Sequence, residues 1–149
     1  MVNKKYFYIL NTLVFWTFII GYIFKENSAG GGPGDYNHIA TNYNLIFSNN
    51  FLDINWNKYD SSRFPLHYFI TKLYLPLDYN IIKLNNFILS LLIPIILFLS
   101  LQKKINNLQI NHYVYLIIAQ SFIIYLSPYL RTSAYWMLEE NFGIFFLVI

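Results

Sequence analysis

Asp35 ends a run of glycines and opens a polar stretch, Gly30-Gly31-Gly32-Pro33-Gly34-Asp35-Tyr36-Asn37-His38. Glycines permit close backbone approach and unusual dihedrals, so they can present a following side chain to a bound molecule. A carboxylate in this place has two uses. It can cap the helix that follows, because Asp is a favoured N-cap. It can also act as a general base, deprotonating a hydroxyl or amine that attacks an activated donor. The run is not a phosphate loop, since the Gly-Lys-Ser/Thr ending is missing. His38 lies three residues on and shares a helical face with Asp35. There it can join Asp35 in holding a divalent cation, donate to the carboxylate, or stay a polar interfacial residue.

The remaining polar groups with chemical capacity are few. Arg63 and Arg131 are the chain's two arginines, each close to a proline. The planar guanidinium binds phosphate oxygens in pairs, which suits a lipid phosphate at a membrane face. The alternative for each is an interfacial anchor. Glu139-Glu140 stands directly before an apolar run, where acids are functional or serve as helix-start charges. Tyr135 and Trp136 read as interfacial aromatics. His67, among apolar neighbours on the second surface helix, and His112, at the cytoplasmic edge, offer less than His38. The chain has no cysteine, which removes disulfides, thiolate metal sites and cysteine nucleophiles.

The elements that must position these groups are set by long apolar runs. Hydrophobic residues make up 56% of the sequence and charged ones 11%, less than half the roughly 25% of soluble domains. The net charge of +3 is small, and no basic face interleaved with exposed polar residues suggests nucleic acid. Lys4-Lys5 precede an apolar segment from Tyr6 to Phe24, long enough for a spanning helix. A cleaved signal peptide is the rival, disfavoured by the length of the run and a poor cleavage site at Asn27-Ser28-Ala29.

Residues 25–80 form an outer loop with two helical patterns. Asp35 to Phe47 puts Tyr36, Ile39, Tyr43 and Ile46 on one face. Pro65 to Leu75 opens with a proline suited to a first turn. Both are expected to lie along the membrane surface, with Asn49 to Arg63 as loop between them. Ile81 to Leu101, containing Pro94, is the second expected span. Gln102 to Asn107 reads as a polar turn, residues 110–127 as a third span, and Ser127 to Asn141 as a polar region. A span from Phe142 falls short of ~20 residues, so the sequence is expected to be the N-terminal part, 1–149, of a longer transmembrane domain.

Charge sets the orientation. Lys4-Lys5 and Lys103-Lys104 occupy the ends assigned to the cytoplasm. All seven acids then fall outside. Asp35, Arg63, Arg131, Glu139 and Glu140 thus emerge on one face and can meet there.

A basic cytoplasmic start, one span, an outer Asp at a surface helix and a second surface helix opening with Pro65-Leu66-His67-Tyr68 together resemble the GT-C glycosyltransferases. These polytopic enzymes use polyprenyl-phosphate-linked sugars; protein mannosyltransferases and aminoarabinose transferases are among them. The resemblance implies an all-α polytopic fold with surface helices in the first outer loop. It also implies inverting sugar transfer at the outer face, with Asp35 as catalytic base. By position it makes Arg63 and Arg131 phosphate contacts, with Glu139, Glu140 and His38 as further substrate-binding residues. Many members carry Asp-Glu where this chain has Asp35-Tyr36, which weakens a metal-binding version; the sequence allows a divalent metal without requiring one. The partners implied are a lipid-linked sugar donor and membrane lipids. The location implied is a bacterial inner or plasma membrane, with the N-terminus cytoplasmic. The competing expectation is a non-catalytic transporter or flippase. Such a protein should carry ionisable groups near the midplane of its spans, and these spans carry none there.

Overall fold

The structure, a computed structural model, describes residues 4–61, 65–107 and 114–148. Among these it is all-helical. The helices are α1 (Lys4–Ile23), α2 (Gly32–Ser48), α3 (Leu66–Tyr74), α4 (Tyr79–Asn107), α5 (Val114–Ile123), α6 (Pro128–Tyr135) and α7 (Glu140–Val148). Short 3-10 turns at Phe51–Asp53, Trp56–Lys58 and Ile124–Leu126 complete the described elements.

Long uninterrupted apolar sequence produces the long helices. In α4 the stretch Tyr79–Lys103 is long and apolar enough to cross a membrane, and it alone passes that test among the described residues. Pro94 lies inside it without ending it. α1 is helical where the first span was expected, but its described apolar part, Tyr8–Ile23, is shorter than a spanning helix requires. The third expected span begins on residues outside the described set; what is described there is α5 and the 3-10 turn after it.

Three expectations need correction. The polar turn at Gln102–Asn107 is the last part of α4. The segment holds neither Gly nor Pro, so no residue in it breaks the helix. The polar region at Ser127–Asn141 is largely the buried helix α6, capped by Ser127 Oγ accepting from Leu130 N at 3.4 Å. Tyr135 is not an interfacial aromatic: it is fully buried, and its hydroxyl donates to Phe18 O at 2.7 Å.

Two apolar cores hold the elements. One packs Ile39, Tyr43 and Ile46 of α2 against Tyr68, Ile82 and Leu138. The face read from the spacing of α2 is the face that is buried. The other joins α1, α4 and α6 through Phe18, Phe87, Tyr125, Leu130 and Tyr135. Tyr22 stacks on Phe87 with centroids 4.1 Å apart.

A polar seam fixes the register between α4 and the later helices. Asn86 Nδ2 donates to Ser133 O at 2.8 Å and to Leu138 O at 3.3 Å. Asn141 Nδ2 donates to Ser90 Oγ and Leu130 O, both at 2.8 Å. Buried amides satisfied in this way favour one arrangement over slid alternatives. The seam sets where α7, and so Glu139 and Glu140, begins.

Candidate functional site

Asp35 does not cap its helix. α2 starts three residues earlier than the periodicity suggested, with Gly31 as N-cap at φ 76° and no side-chain capping bond. Gly31 adopts the left-handed conformation that other residues resist, and Pro33 suits the first turn. Asp35 therefore lies within the helix, its N donating to Gly31 O at 3.0 Å, with its side chain exposed. The carboxylate is left for other chemistry.

The turn leading to Asp35 is held by α6. Ala29 N donates to Thr132 Oγ1 at 3.0 Å, and Trp136 Nε1 donates to Glu26 O at 2.9 Å. Gly32 N donates to Asn27 Oδ1 at 3.1 Å, and a Cβ on Gly32 would sit 2.6 Å from the Trp136 ring. Only a glycine lets the indole approach this closely.

Asp35 lines a polar cleft of about 330 Å³ together with His38, Asp60, Glu139 and Glu140. Four of the residues picked out in the sequence, Asp35, His38, Glu139 and Glu140, thus come together. Tyr68 and Asn42 form part of the floor. Burial pushes the Tyr68 hydroxyl far above its ordinary range, so it stays protonated and is no base.

Asp60 and Asn42 escaped the sequence reading. Asn42 Oδ1 accepts from Asp60 N at 2.9 Å, while its Nδ2 donates to Asp60 O at 3.2 Å, pinning the loop to α2. His38 Nδ1 is paired with Asp60 Oδ2, on an exposed rim, and not with Asp35. One signal was available: Asn42 follows His38 by four residues and Asp35 by seven, which continues a single helical face.

His67 also enters the site. It lies on the inward side of α3, where its Nδ1 is 3.1 Å from Glu139 Oε2, and the two side chains are 8% and 11% exposed. Glu139 is thereby fixed at the base of the cleft. Ser133 Oγ lies 3.4 Å from Glu140 Oε2, which ties the second acid to α6.

The expectation for Arg131 as a phosphate contact finds no open donor. Its Nε donates to both Glu26 oxygens at 3.0 and 3.1 Å, and its Nη1 to Thr17 Oγ1 and Tyr125 O at 3.4 and 3.2 Å. Its Nη2 donates to Thr17 O at 3.0 Å and pairs with Glu26 Oε2. With all five N–H groups committed and the side chain buried, Arg131 clamps α6 to the end of α1. Arg63 and His112 lie outside the described residues.

Two further clefts adjoin the polar one. The larger, about 500 Å³, is walled by Ile93, Leu97, Ile124, Ile144 and Val148, and has Asp35, Glu140 and Asn141 among its polar residues. Asp35 and Glu140 line both clefts and so stand at their junction. The other, a groove of about 450 Å³ between α3 and α7, is lined by Leu66, Ile70, Phe142 and Phe146 and meets the polar cleft at Glu139. Among the described residues no group of three His, Asp or Glu side chains is placed to hold a metal. What the arrangement can do is take a proton from a hydroxyl brought to Asp35 by a molecule that is part polar and part apolar.

Compared with known proteins, the chain matches no family model, and neither a curated protein nor a solved structure is similar to it.

Proposed function

We propose that the chain belongs to an integral membrane glycosyltransferase of the GT-C kind, working at the outer face with a polyprenyl-phosphate sugar as donor. The observation that carries this reading is Asp35, exposed and free of capping duty at the junction of a polar and an apolar cleft. In the reaction Asp35 takes the proton of an acceptor hydroxyl. The hydroxyl oxygen bonds to the anomeric carbon of the sugar, and the bond from that carbon to the phosphate oxygen breaks, its electron pair leaving on the phosphate.

The flanking groove supports a lipid-borne donor. Arg63 falls in the sequence between Ser61, on the polar cleft, and Leu66, on the α3–α7 groove. It takes the role of phosphate cation that both arginines were expected to share. A cation there stabilises the departing phosphate, and the apolar groove receives the prenyl chain. α3 also suits a membrane interface: His67, Tyr68 and Thr71 are buried, while Leu66 and Leu73 are 53% and 85% exposed. This reverses the arrangement expected of a helix facing water.

The test is transfer from radiolabelled polyprenyl-phosphate sugars in membranes containing the full-length gene product, wild type against Asp35→Asn. Transfer that vanishes in the variant while membrane insertion persists is the expected result. Wild-type turnover in Asp35→Asn overturns the base assignment, and no transfer from any donor moves the weight to a non-catalytic flippase or transporter.

A further inference from the structure

The cleft between α4, α6 and α7 differs from the α3–α7 groove in its chemistry. Its walls are aliphatic, and its charged lining residues, Asp35 and Glu140, are both acids; among the described residues no Lys or Arg lines it. An anionic headgroup placed there would meet like charge in a partly desolvated site, which opposes binding. Asn141 adds a second, independent feature. It is 1% exposed, both N–H groups of its Nδ2 are used by Ser90 and Leu130, and its Oδ1 has no hydrogen-bond partner among the described residues. Because Nδ2 already has its two acceptors, the amide orientation is fixed, and Oδ1 is the atom left for a donor. A buried acceptor without a donor is disfavoured enough that such groups are nearly always satisfied. Ser133 and Thr132 add hydroxyls to the same lining. The volume of about 500 Å³ falls within the roughly 300–1,000 Å³ of small-molecule sites.

We infer that this cleft binds an uncharged lipid bearing two hydroxyls on adjacent carbons, its chain against Ile93, Leu97, Ile144 and Val148, one hydroxyl donating to Asn141 Oδ1 and the other at Asp35. On the glycosyltransferase reading, on which this step rests, that lipid is the acceptor. It enters from the opposite side of α7 to the donor, so the two apolar chains do not compete for one groove. The hydroxyl at Asp35 gives its proton to that carboxylate and its oxygen takes the sugar as the donor phosphate departs, while the other hydroxyl stays on Asn141 Oδ1. The acids that repel an anionic lipid here leave a neutral one unopposed, and the buried acceptor selects a hydroxyl over an ester or a bare alkyl end.

The experiment uses the full-length protein in phosphatidylcholine nanodiscs and a monoacylglycerol carrying a diazirine in its acyl chain. After irradiation the labelled peptides are mapped by mass spectrometry. Labelling is expected on residues 93–97, 124–130 and 141–148. Unlabelled monoacylglycerol should displace the probe at least about tenfold better than either the lysophosphatidic acid or the fatty-acid methyl ester of the same chain, the first testing charge and the second the hydroxyl. Leu97→Trp and Ile144→Trp fill the cleft from different helices, and either that folds should cut labelling by about tenfold or more. Equal displacement by the lysophosphatidic acid, labelling unchanged in the tryptophan variants, or labelling confined to other peptides overturns the inference. The last of these is the result if another segment of the protein or a second copy occupies the cleft. Binding is read without turnover, so the two proposals fail separately. Labelling without transfer rejects the glycosyltransferase reading and keeps the lipid site. Transfer without cleft labelling does the reverse.

Discussion

Arg131 and Glu26, 105 positions apart in the chain, form a two-oxygen ion pair that closes α6 onto the end of α1. The pair sits at the start of the turn that leads to Asp35, so the candidate base depends on it for its place. Removing one member leaves the other charge poorly compensated. The full loss for a buried pair is about 3–5 kcal/mol, and less is expected here because Glu26 is 33% exposed. Arg131→Ala should therefore lower the melting temperature in detergent micelles markedly, followed by circular dichroism. Arg131→Lys, with one ammonium for four acceptor groups, should recover only part of the loss.

The same pair predicts an acid limb. The hydrogen bond from Arg131 holds the Glu26 carboxyl below its ordinary value of 4.5. An acid with a depressed value in the folded state adds stability that is full above its unfolded value and is lost as pH falls through the folded one. Below pH 4.5, wild type should lose stability more steeply than Glu26→Gln, which starts lower and has no such proton to bind. Parallel curves would show that the pair does not control this limb.

Gly21 tests the packing around the pair. A Cβ there would lie 2.6 Å from both Glu26 Oε2 and Tyr135 Oη and 2.7 Å from Arg131 Nη2. In a helix interior Gly→Ala ordinarily stabilises by about 1 kcal/mol. The three polar atoms can move away only by opening the ion pair, so the clash should outweigh that gain. Gly21→Ala is expected to destabilise, and combining it with Glu26→Gln should cost less than the sum of the two. A stabilised Gly21→Ala would mean that the pair is loosely held.

The sequence made the long elements and the shared face readable for different reasons. The apolar runs behind α1 and α4 were legible as helices from length and composition alone, though only α4 is long and apolar enough to cross a membrane among the described residues. Alternation of Lys pairs then put Asp35, Glu139 and Glu140 on one side, and the structure places all three on one cleft. α6 was not legible. Arg131, Thr132 and Ser133 read as a polar segment, and their burial makes sense only once Glu26, Ala29 and Asn86 are known to receive or supply their hydrogen bonds. The start of α2 was missed because glycines look like loop; the left-handed Gly31 and Pro33 turn them into a first helical turn. Asp60 was hidden by distance in sequence, since its link to Asn42 is a tertiary contact.

Gly31 and Gly34 should respond oppositely to alanine. Gly31 has φ 76°, and a Cβ there would lie 3.1 Å from Asp35 Oδ2. Gly31→Ala should cost about 1–2 kcal/mol for the left-handed conformation and disturb the carboxylate as well. Gly34 lies inside the helix with open space around it, so Gly34→Ala should be neutral or stabilise by up to about 1 kcal/mol. Thermal melts of the two variants check the sign. A transfer assay should show activity falling in Gly31→Ala and kept in Gly34→Ala.

The acids of the polar cleft should differ in kind. Asp35 faces both clefts with its carboxylate exposed, whereas Asp60 is paired with His38 on an exposed rim and serves the loop. If Asp35 is the base, Asp35→Asn should lower kcat for transfer by about 10²–10⁴, the usual contribution of general-base catalysis. Asp60→Asn keeps the backbone bonds to Asn42 and should change kcat by less than about tenfold. Glu140 shares the junction with Asp35 and is held from α6 by Ser133, so Glu140→Gln should act mainly on KM by altering the charge beside the bound substrate. Steady-state kinetics on the three variants separates these roles. An Asp60→Asn enzyme that is inactive beside a functional Asp35→Asn enzyme would move the base to the other side of the cleft, against the geometry of α2.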